Sequence, residues 1–167
     1  MKRLAVVAAL VGLLAGAAFV STASAVPGSG PVSNSGSASV SVDKRFAAKK
    51  NVRIKVGNSA FGKMLYNRPG QAIYIFDKEK TNKSRCYGEC ARQWPPVLTI
   101  GKPKALKGVS QRLLGRTKRS GGAMQVTYNG KPLYYYYNEQ PGQVFCHNVF
   151  LNGGLWQVIA PGGKAQD

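Results

Sequence analysis

From Val52 onward the chain is built of short runs in which apolar and polar side chains alternate, the period of a half-buried strand rather than of a helix. Val52-Arg53-Ile54-Lys55-Val56 is the first such run. Lys63 to Tyr66 and Ala72 to Asp77 read as two more strands, and Asn67-Arg68-Pro69-Gly70 between them supplies the fixed and then positive φ of a turn, so the pair is expected as a hairpin. Alternation places Ile73 and Ile75 on one face and Tyr74 and Phe76 on the other. Met124 to Tyr128 and Pro132 to Tyr137 repeat the scheme around Asn129-Gly130, a strong two-residue hairpin signal, and Tyr134 and Tyr136 share a face. Between these pairs, Cys86 to Trp94 predicts a short helical turn stopped by Pro95-Pro96, and Val97 to Ile100 predicts a strand. Ser110 to Leu114 fits helix or strand, while Gly101 to Gly108 and Arg116 to Gly122 read as basic loops. Leu155 to Ile159 predicts a closing strand that ends before Pro161-Gly162-Gly163.

The two hairpin patterns are copies of one unit. Phe61 to Glu79 aligns without a gap on Gly121 to Glu139, with Gly62/Gly122, Met64/Met124, Gly70/Gly130, Tyr74/Tyr134 and Glu79/Glu139 identical, and the same offset sets Cys86 on Cys146. Each copy carries Tyr-x-aromatic-x-x-Glu. The expected fold is therefore mainly β: two tandem hairpin-containing repeats, about 51–100 and 110–163, packed as one antiparallel β domain with a short helical turn near Cys86 and Cys90.

The N-terminal half changes the picture from fold to compartment. Lys2 and Arg3, the apolar and glycine run from Leu4 to Val20, and Ala23-Ser24-Ala25 read as a signal peptide over 1–25, cleaved near Ala25. A Ser, Gly and Pro stretch that turns basic follows over 26–50 and reads as a flexible linker, and 164–167 reads as a tail. The expected location is secreted, periplasmic or associated with the cell envelope, with no transmembrane helix in the mature chain. Beyond residue 25 there are 22 Lys plus Arg against 6 Asp plus Glu, and 20 of those cations lie between Lys44 and Arg119. A field so lopsided favours anionic partners: envelope polymers, lipid head groups, or extracellular nucleic acid bound without sequence preference. The expected contacts are the Lys44 to Lys55 segment, Lys78, Lys80, Lys83 and Arg85, then Lys102, Lys104 and Lys107, and Arg116, Lys118 and Arg119.

Ile73-Tyr74-Ile75-Phe76 with its acid three residues on, Ser84-x-Cys86-x-Gly88-x-Cys90-Ala91, Trp94-Pro95-Pro96, Gln125 to Tyr135 and Gly153-Gly154-x-Trp156-x-Val158 follow one another in an order that resembles the bacterial secreted-repeat family. Its members are described as predicted lipoproteins with a Yx(FWY)xxD motif. The resemblance runs from about Val52 to Gly163. Glu79 and Glu139 stand where the motif has Asp, and no cysteine lies at the cleavage site, so free secretion is expected in place of lipid anchoring. The resemblance implies export and architecture and lends no reaction.

Three cysteines in an exported chain leave one over if a pair forms. Loop entropy alone favours a bridge to Cys146, roughly 4 kcal/mol against roughly 2 for the short loop from Cys86 to Cys90. Gly88 permits a tight reversal between Cys86 and Cys90, and the family's spacing recurs there, so that pair is the expected disulfide. The leftover Cys146 adjoins His147, the sole histidine, which opens an alternative: a zinc, copper or redox site of Cys86, Cys90, Cys146 and His147. Against it, neighbouring residues of an extended Cys-His pair point to opposite faces. General acid–base chemistry would have to draw on His147 and the few carboxylates. Of these, Glu79 and Glu139 are placed either to converge across a pseudo-twofold or to accept backbone or Lys/Arg hydrogen bonds. The tyrosines, Tyr74 with Phe76 and Tyr134 with Tyr136, read as interior packing or as an aromatic platform for sugars or bases. The reading as a whole is an exported, non-enzymatic binding or structural module of the cell envelope, without cofactor, with affinity for anionic polymers.

Overall fold

The computed structural model describes residues 43–166. The signal peptide and most of the linker lie outside these residues. The described strands are β1 (Arg53–Ser59), β2 (Gly62–Asn67), β3 (Tyr74–Phe76), β4 (Lys104–Ala105), β5 (Leu114–Lys118), β6 (Met124–Tyr128), β7 (Lys131–Pro132), β8 (Val149–Leu151) and β9 (Gly154–Val158). They form three sheets in the orders β2-β1-β4, β3-β9-β8 and β5-β6-β7. All pairings between these strands are antiparallel except the short one of β4 along β1. Helix α1 (Glu89–Gln93) and a 3-10 turn (Gln111–Leu113) are the helical elements. The domain is mainly β, as the alternation requires.

Both expected hairpins form, but each is short. Asn129 at φ 48° and Gly130 at φ 73° make the tight turn between β6 and β7, and the Leu133 N–H still donates to the Val126 carbonyl at 3.0 Å, but there Val97 enters between the two, accepting the Val126 N–H at 2.8 Å and donating to the Leu133 carbonyl at 2.9 Å, so the hairpin opens. In the first repeat the turn at Asn67 to Gly70 closes on a single Tyr66–Ala72 bridge, and the longer partner of β2 is β1. Residues 74–76 and 134–137 then leave their own hairpins and cross to the other repeat. β3 pairs with β9, setting Tyr74 opposite Val158 and Phe76 opposite Trp156. In the reverse direction, the Tyr135 N–H donates to the Pro95 carbonyl at 2.8 Å and the Tyr137 N–H to the Gln93 carbonyl at 3.0 Å. Where the two crossings meet, Tyr74 and Tyr134 exchange both backbone hydrogen bonds, at 2.9 and 3.0 Å.

Several stretches differ from the sequence reading. Arg116 to Lys118 belongs to strand β5, paired along β6, and is not loop; its cations point outward while Thr117 is buried, an edge-strand pattern that high charge disguises. Val97 to Ile100 makes isolated bridges without becoming a strand. Residues 43–50 pack on the domain, since Phe46 is buried against Tyr135 with ring centroids 5.6 Å apart. The C-terminal segment also returns to the core, where Ala165 bridges Ile159.

Alternation along residues 73–76 feeds two separate cores. Ile73 and Ile75 enter a cluster with Ile54, Leu65, Val126 and Leu133, while Tyr74 and Phe76 enter one with Trp94, Tyr134 and Trp156. The second cluster is organised as a stack in the order Phe76, Trp156, Trp94, Tyr136, with successive centroids 4.3, 3.9 and 4.8 Å apart. Its ends are equivalent repeat positions. Tyr74 stands edge-on to Trp94 at 5.3 Å and Tyr134 edge-on to Trp156 at 5.2 Å, so the stack reads alike from both ends. Gly154 has no room for a side chain: a Cβ there would sit 2.6 Å from the Phe76 ring and 2.7 Å from Lys78 Cγ.

Trp156→Ala is expected to cost about 3 to 5 kcal/mol, as truncating a fully buried aromatic does. Gly154→Ala is expected to cost about 1 to 3 kcal/mol by overpacking the Phe76 ring. Gly153→Ala, at φ 78° but in open space, should cost only about 1 kcal/mol. Urea unfolding of the three variants checks the ranking, and a Gly154→Ala protein as stable as the parent contradicts the packing described.

Candidate functional site: a reciprocal tyrosine–glutamate lock under a basic surface

The duplicated motif residues meet at the join of the two repeats, and each is completed by the other copy. The Tyr74 hydroxyl donates to Glu139 Oε1 at 2.6 Å, and the Tyr134 hydroxyl donates to Glu79 Oε1 at 2.5 Å. Each carboxylate also accepts a backbone N–H from its own repeat at the same relative position: Arg85 to Glu79 at 2.7 Å and Phe145 to Glu139 at 2.6 Å. Both glutamates are buried, and their second oxygens have no partner among the described residues. Of the two arrangements open to them, these carboxylates take the second in part: each accepts a backbone N–H, but its side-chain donor is a tyrosine hydroxyl rather than a Lys or Arg head group, and they do not pair with each other.

Burial dominates the electrostatics here. It raises the pKa of Glu79 and of Glu139, against the opposing hydrogen bonds from Tyr134 and Tyr74 and from the backbone. The Tyr74 and Tyr134 hydroxyls are pushed well above the usual phenol range by burial and then by the facing carboxylates, so they remain donors at any working pH. All four motif rings, Tyr74, Phe76, Tyr134 and Tyr136, are packed in the aromatic cluster. Tyr74, Phe76 and Tyr134 are buried and present no face to a ligand, so they serve as interior packing, while Tyr136 at the end of the stack is partly exposed.

The two halves of the lock differ in their surroundings. On the Glu79 side, Arg119 Nη1 donates to Ser84 Oγ and to Gln125 Oε1, both at 2.7 Å, and Nη2 donates to the Cys86 carbonyl at 2.6 Å. Arg119 was expected among the polyanion contacts; it is instead buried and spent on this network, with the Tyr87 ring stacked 4.3 Å from its guanidinium. On the Glu139 side the equivalent space is apolar and holds Cys146. Cys86 is bonded to Cys90, as expected, and Cys146 is a buried free thiol whose pKa burial and then Glu139 push up to about 11. The position matching Cys90 is Phe150, so Cys146 has no counterpart partner.

The metal alternative loses its donors. Two of its three sulfurs are in the disulfide, and His147 accepts the Val158 N–H on Nδ1 at 3.3 Å, with its ring tilted against Phe61 at 4.5 Å between centroids. Among the described residues no group of three or more His, Cys, Asp or Glu is arranged to hold a metal ion.

The remaining expected cations, Lys78, Lys80, Lys83, Arg85, Lys102, Lys104, Lys107, Arg116 and Lys118, are exposed. Lys102 and Arg116 line one shallow groove, Lys63 and Lys107 another, and Lys104 pairs beside Arg53 across β4 and β1. Lys78 to Arg85 shares none of these grooves. Arg68, in the turn after β2, was not singled out by the sequence reading; its proximity to Lys49 and Arg53 is created by the fold.

Tyr74→Phe and Tyr134→Phe are each expected to cost about 1 to 3 kcal/mol, because each strands a buried carboxyl without its donor. The raised pKa values carry a pH signature. An acid whose folded pKa lies above its unfolded value binds its proton more tightly in the folded chain, so its contribution is fully present below the unfolded pKa and is lost as pH rises through the folded one. The melting temperature should therefore fall as pH rises from 4.5. The Glu79→Gln, Glu139→Gln double variant should flatten that slope, and a slope that survives in it would refute the assignment.

A family model described as a secreted repeat of unknown function matches residues 55–98 and 115–160, one segment in each repeat. No curated protein and no solved structure matches the chain. The two matched segments are the two halves joined by the tyrosine–glutamate lock, and the chain belongs to this family of secreted repeats.

Proposed function

We propose that this protein is an exported, non-enzymatic module of the cell envelope that binds anionic polymers through its basic surface. The supporting observation is that its acids are already spent. The described residues hold 22 lysines and arginines and 5 carboxylates. Asp43 pairs with Arg45 and Glu89 with Arg92, both at the surface. Asp77 accepts the Leu155 N–H at 2.9 Å, and Glu79 and Glu139 are inside the lock. Almost every lysine and arginine is thus left without a carboxylate, which is a condition for attracting a polyanion.

The same accounting disfavours acid–base catalysis. No described carboxylate stands free beside a cavity, and His147 already accepts a backbone N–H. The disulfide and the family's description support export. Among the described residues no helix is long and apolar enough to cross a membrane.

Binding to teichoic acid, lipopolysaccharide, heparin or DNA is expected to be sequence-independent, with log affinity falling linearly in log salt at a slope near the number of phosphates neutralised, about four to eight. Replacing Lys102, Lys104 and Lys107 by Gln should flatten the slope by up to about three without changing the melting temperature. Equilibrium binding across a salt series measures it. Absence of retention on every polyanion at low salt would sink the proposal.

A further inference from the structure

Beside the edge where β1 begins, a groove of about 190 Å³ is lined by Lys49, Asn51, Arg53, Asn67, Arg68 and Tyr135, with Val52 and Pro69. Its three cations come from two stretches, 49–53 and the turn after β2, that the fold clamps together. The Arg68 N–H donates to the Arg53 carbonyl at 2.9 Å, and Lys49 is bridged to Thr99, its carbonyl accepting the Ile100 N–H at 3.1 Å. No carboxylate lines the groove, and none of the three cations makes an ion pair among the described residues.

The groove also has a buried polar side chain with an unused donor. Asn67 Oδ1 accepts the Gly70 and Gln71 N–H groups at 3.0 and 2.8 Å, which fixes the amide so that Nδ2 donates to the Tyr135 hydroxyl oxygen at 3.3 Å. Tyr135 is only 6% exposed, and its hydroxyl hydrogen has no acceptor among the described residues. Burial pushes its pKa up to about 12, so the proton stays on the oxygen and available for donation. A buried donor left unpaired is costly, and the cheapest remedy is an acceptor arriving from the groove side.

We infer that this groove is a binding site for a single phosphoryl group, held by Lys49, Arg53 and Arg68 and capped from below by the Tyr135 hydroxyl. Guanidinium forks suit the geometry of phosphate oxygens, and three positive charges suit its charge. The volume lies below the roughly 300 to 1,000 Å³ that encloses a whole drug-sized ligand, so the groove takes one headgroup and leaves the rest of the molecule outside. The site occurs once: Tyr135 and Arg68 are matched in the other repeat by Ile75 and Tyr128, which supply neither a polar floor nor a cation. This assignment deepens the polyanion reading by naming a point of anchorage, and it rests on that reading only for the source of the phosphoryl group.

The test is calorimetric titration of the protein at low salt with inorganic phosphate, glycerol 3-phosphate and sulfate, alongside a polyphosphodiester. One saturable site per chain for phosphate and glycerol 3-phosphate is expected. Arg68→Gln and Arg53→Gln should each weaken it at least about tenfold and Tyr135→Phe several-fold, whereas the Lys102, Lys104 and Lys107 to Gln variant should leave it unchanged. Sulfate binding as tightly as phosphate would assign the site to tetrahedral oxyanions at large and overturn its restriction to phosphoryl groups. Absence of saturation, or saturation indifferent to Arg68→Gln and Arg53→Gln, overturns the site itself. Arg68→Gln is an exposed change and is expected to fold as the parent does. Polymer binding without phosphate binding would sink the groove alone, and phosphate binding without polymer binding would sink the wider reading alone.

Discussion

The domain depends on an exchange in which each repeat holds the other's buried acid. A carboxylate taken out of water is costly unless donors replace the lost solvent, and neither repeat supplies enough of them for its own glutamate. Glu79 receives one backbone N–H locally and its tyrosine hydroxyl from across the join; Glu139 does the same in reverse. The exchange of β3 onto β9 and of residues 134–137 onto 93–97 is the backbone expression of that need, because it carries each tyrosine to the opposite glutamate. The aromatic stack then fills the space between the two bonds. One repeat alone would lose its acid's hydroxyl donor and the two rings that interleave with its own in the stack.

Duplication supplies a symmetric frame on which the two halves have diverged. The polar network of Arg119, Ser84 and Gln125 stands over Glu79, and the apolar pocket of Cys146 stands over Glu139. The outer surface diverges further. Twenty of the 22 cations beyond residue 25 lie between Lys44 and Arg119, and the phosphoryl groove exists only where Tyr135 from the second repeat meets Arg53 and Arg68 from the first.

Charge and core are kept apart by this arrangement. Acids are drawn inward or into local pairs, and the basic surface is left with little to neutralise it. Self-repulsion on such a surface weakens the compact state, and the disulfide and the densely packed aromatic cluster work against it.

The sequence by itself determined the β class, the duplication, the tight turn at Asn129-Gly130, the alternation that splits Ile73 and Ile75 from Tyr74 and Phe76, and the choice of Cys86 and Cys90 as a pair. The first four follow from local periodicity and turn chemistry, which a chain carries in its order of residues, while the cysteine pair rested on the family resemblance, since loop entropy alone favours a bridge to Cys146. Tertiary structure alone decided which strand pairs with which, since an alternating run names its faces but not its partner. For that reason β1 rather than residues 72–77 became the main neighbour of β2, and Arg116 to Lys118 became an edge strand. The same limit concealed the inward turn of Arg119 and the meeting of Lys49, Arg53, Arg68 and Tyr135. These side chains are brought together by pairings between strands and segments far apart in sequence, which no local pattern specifies.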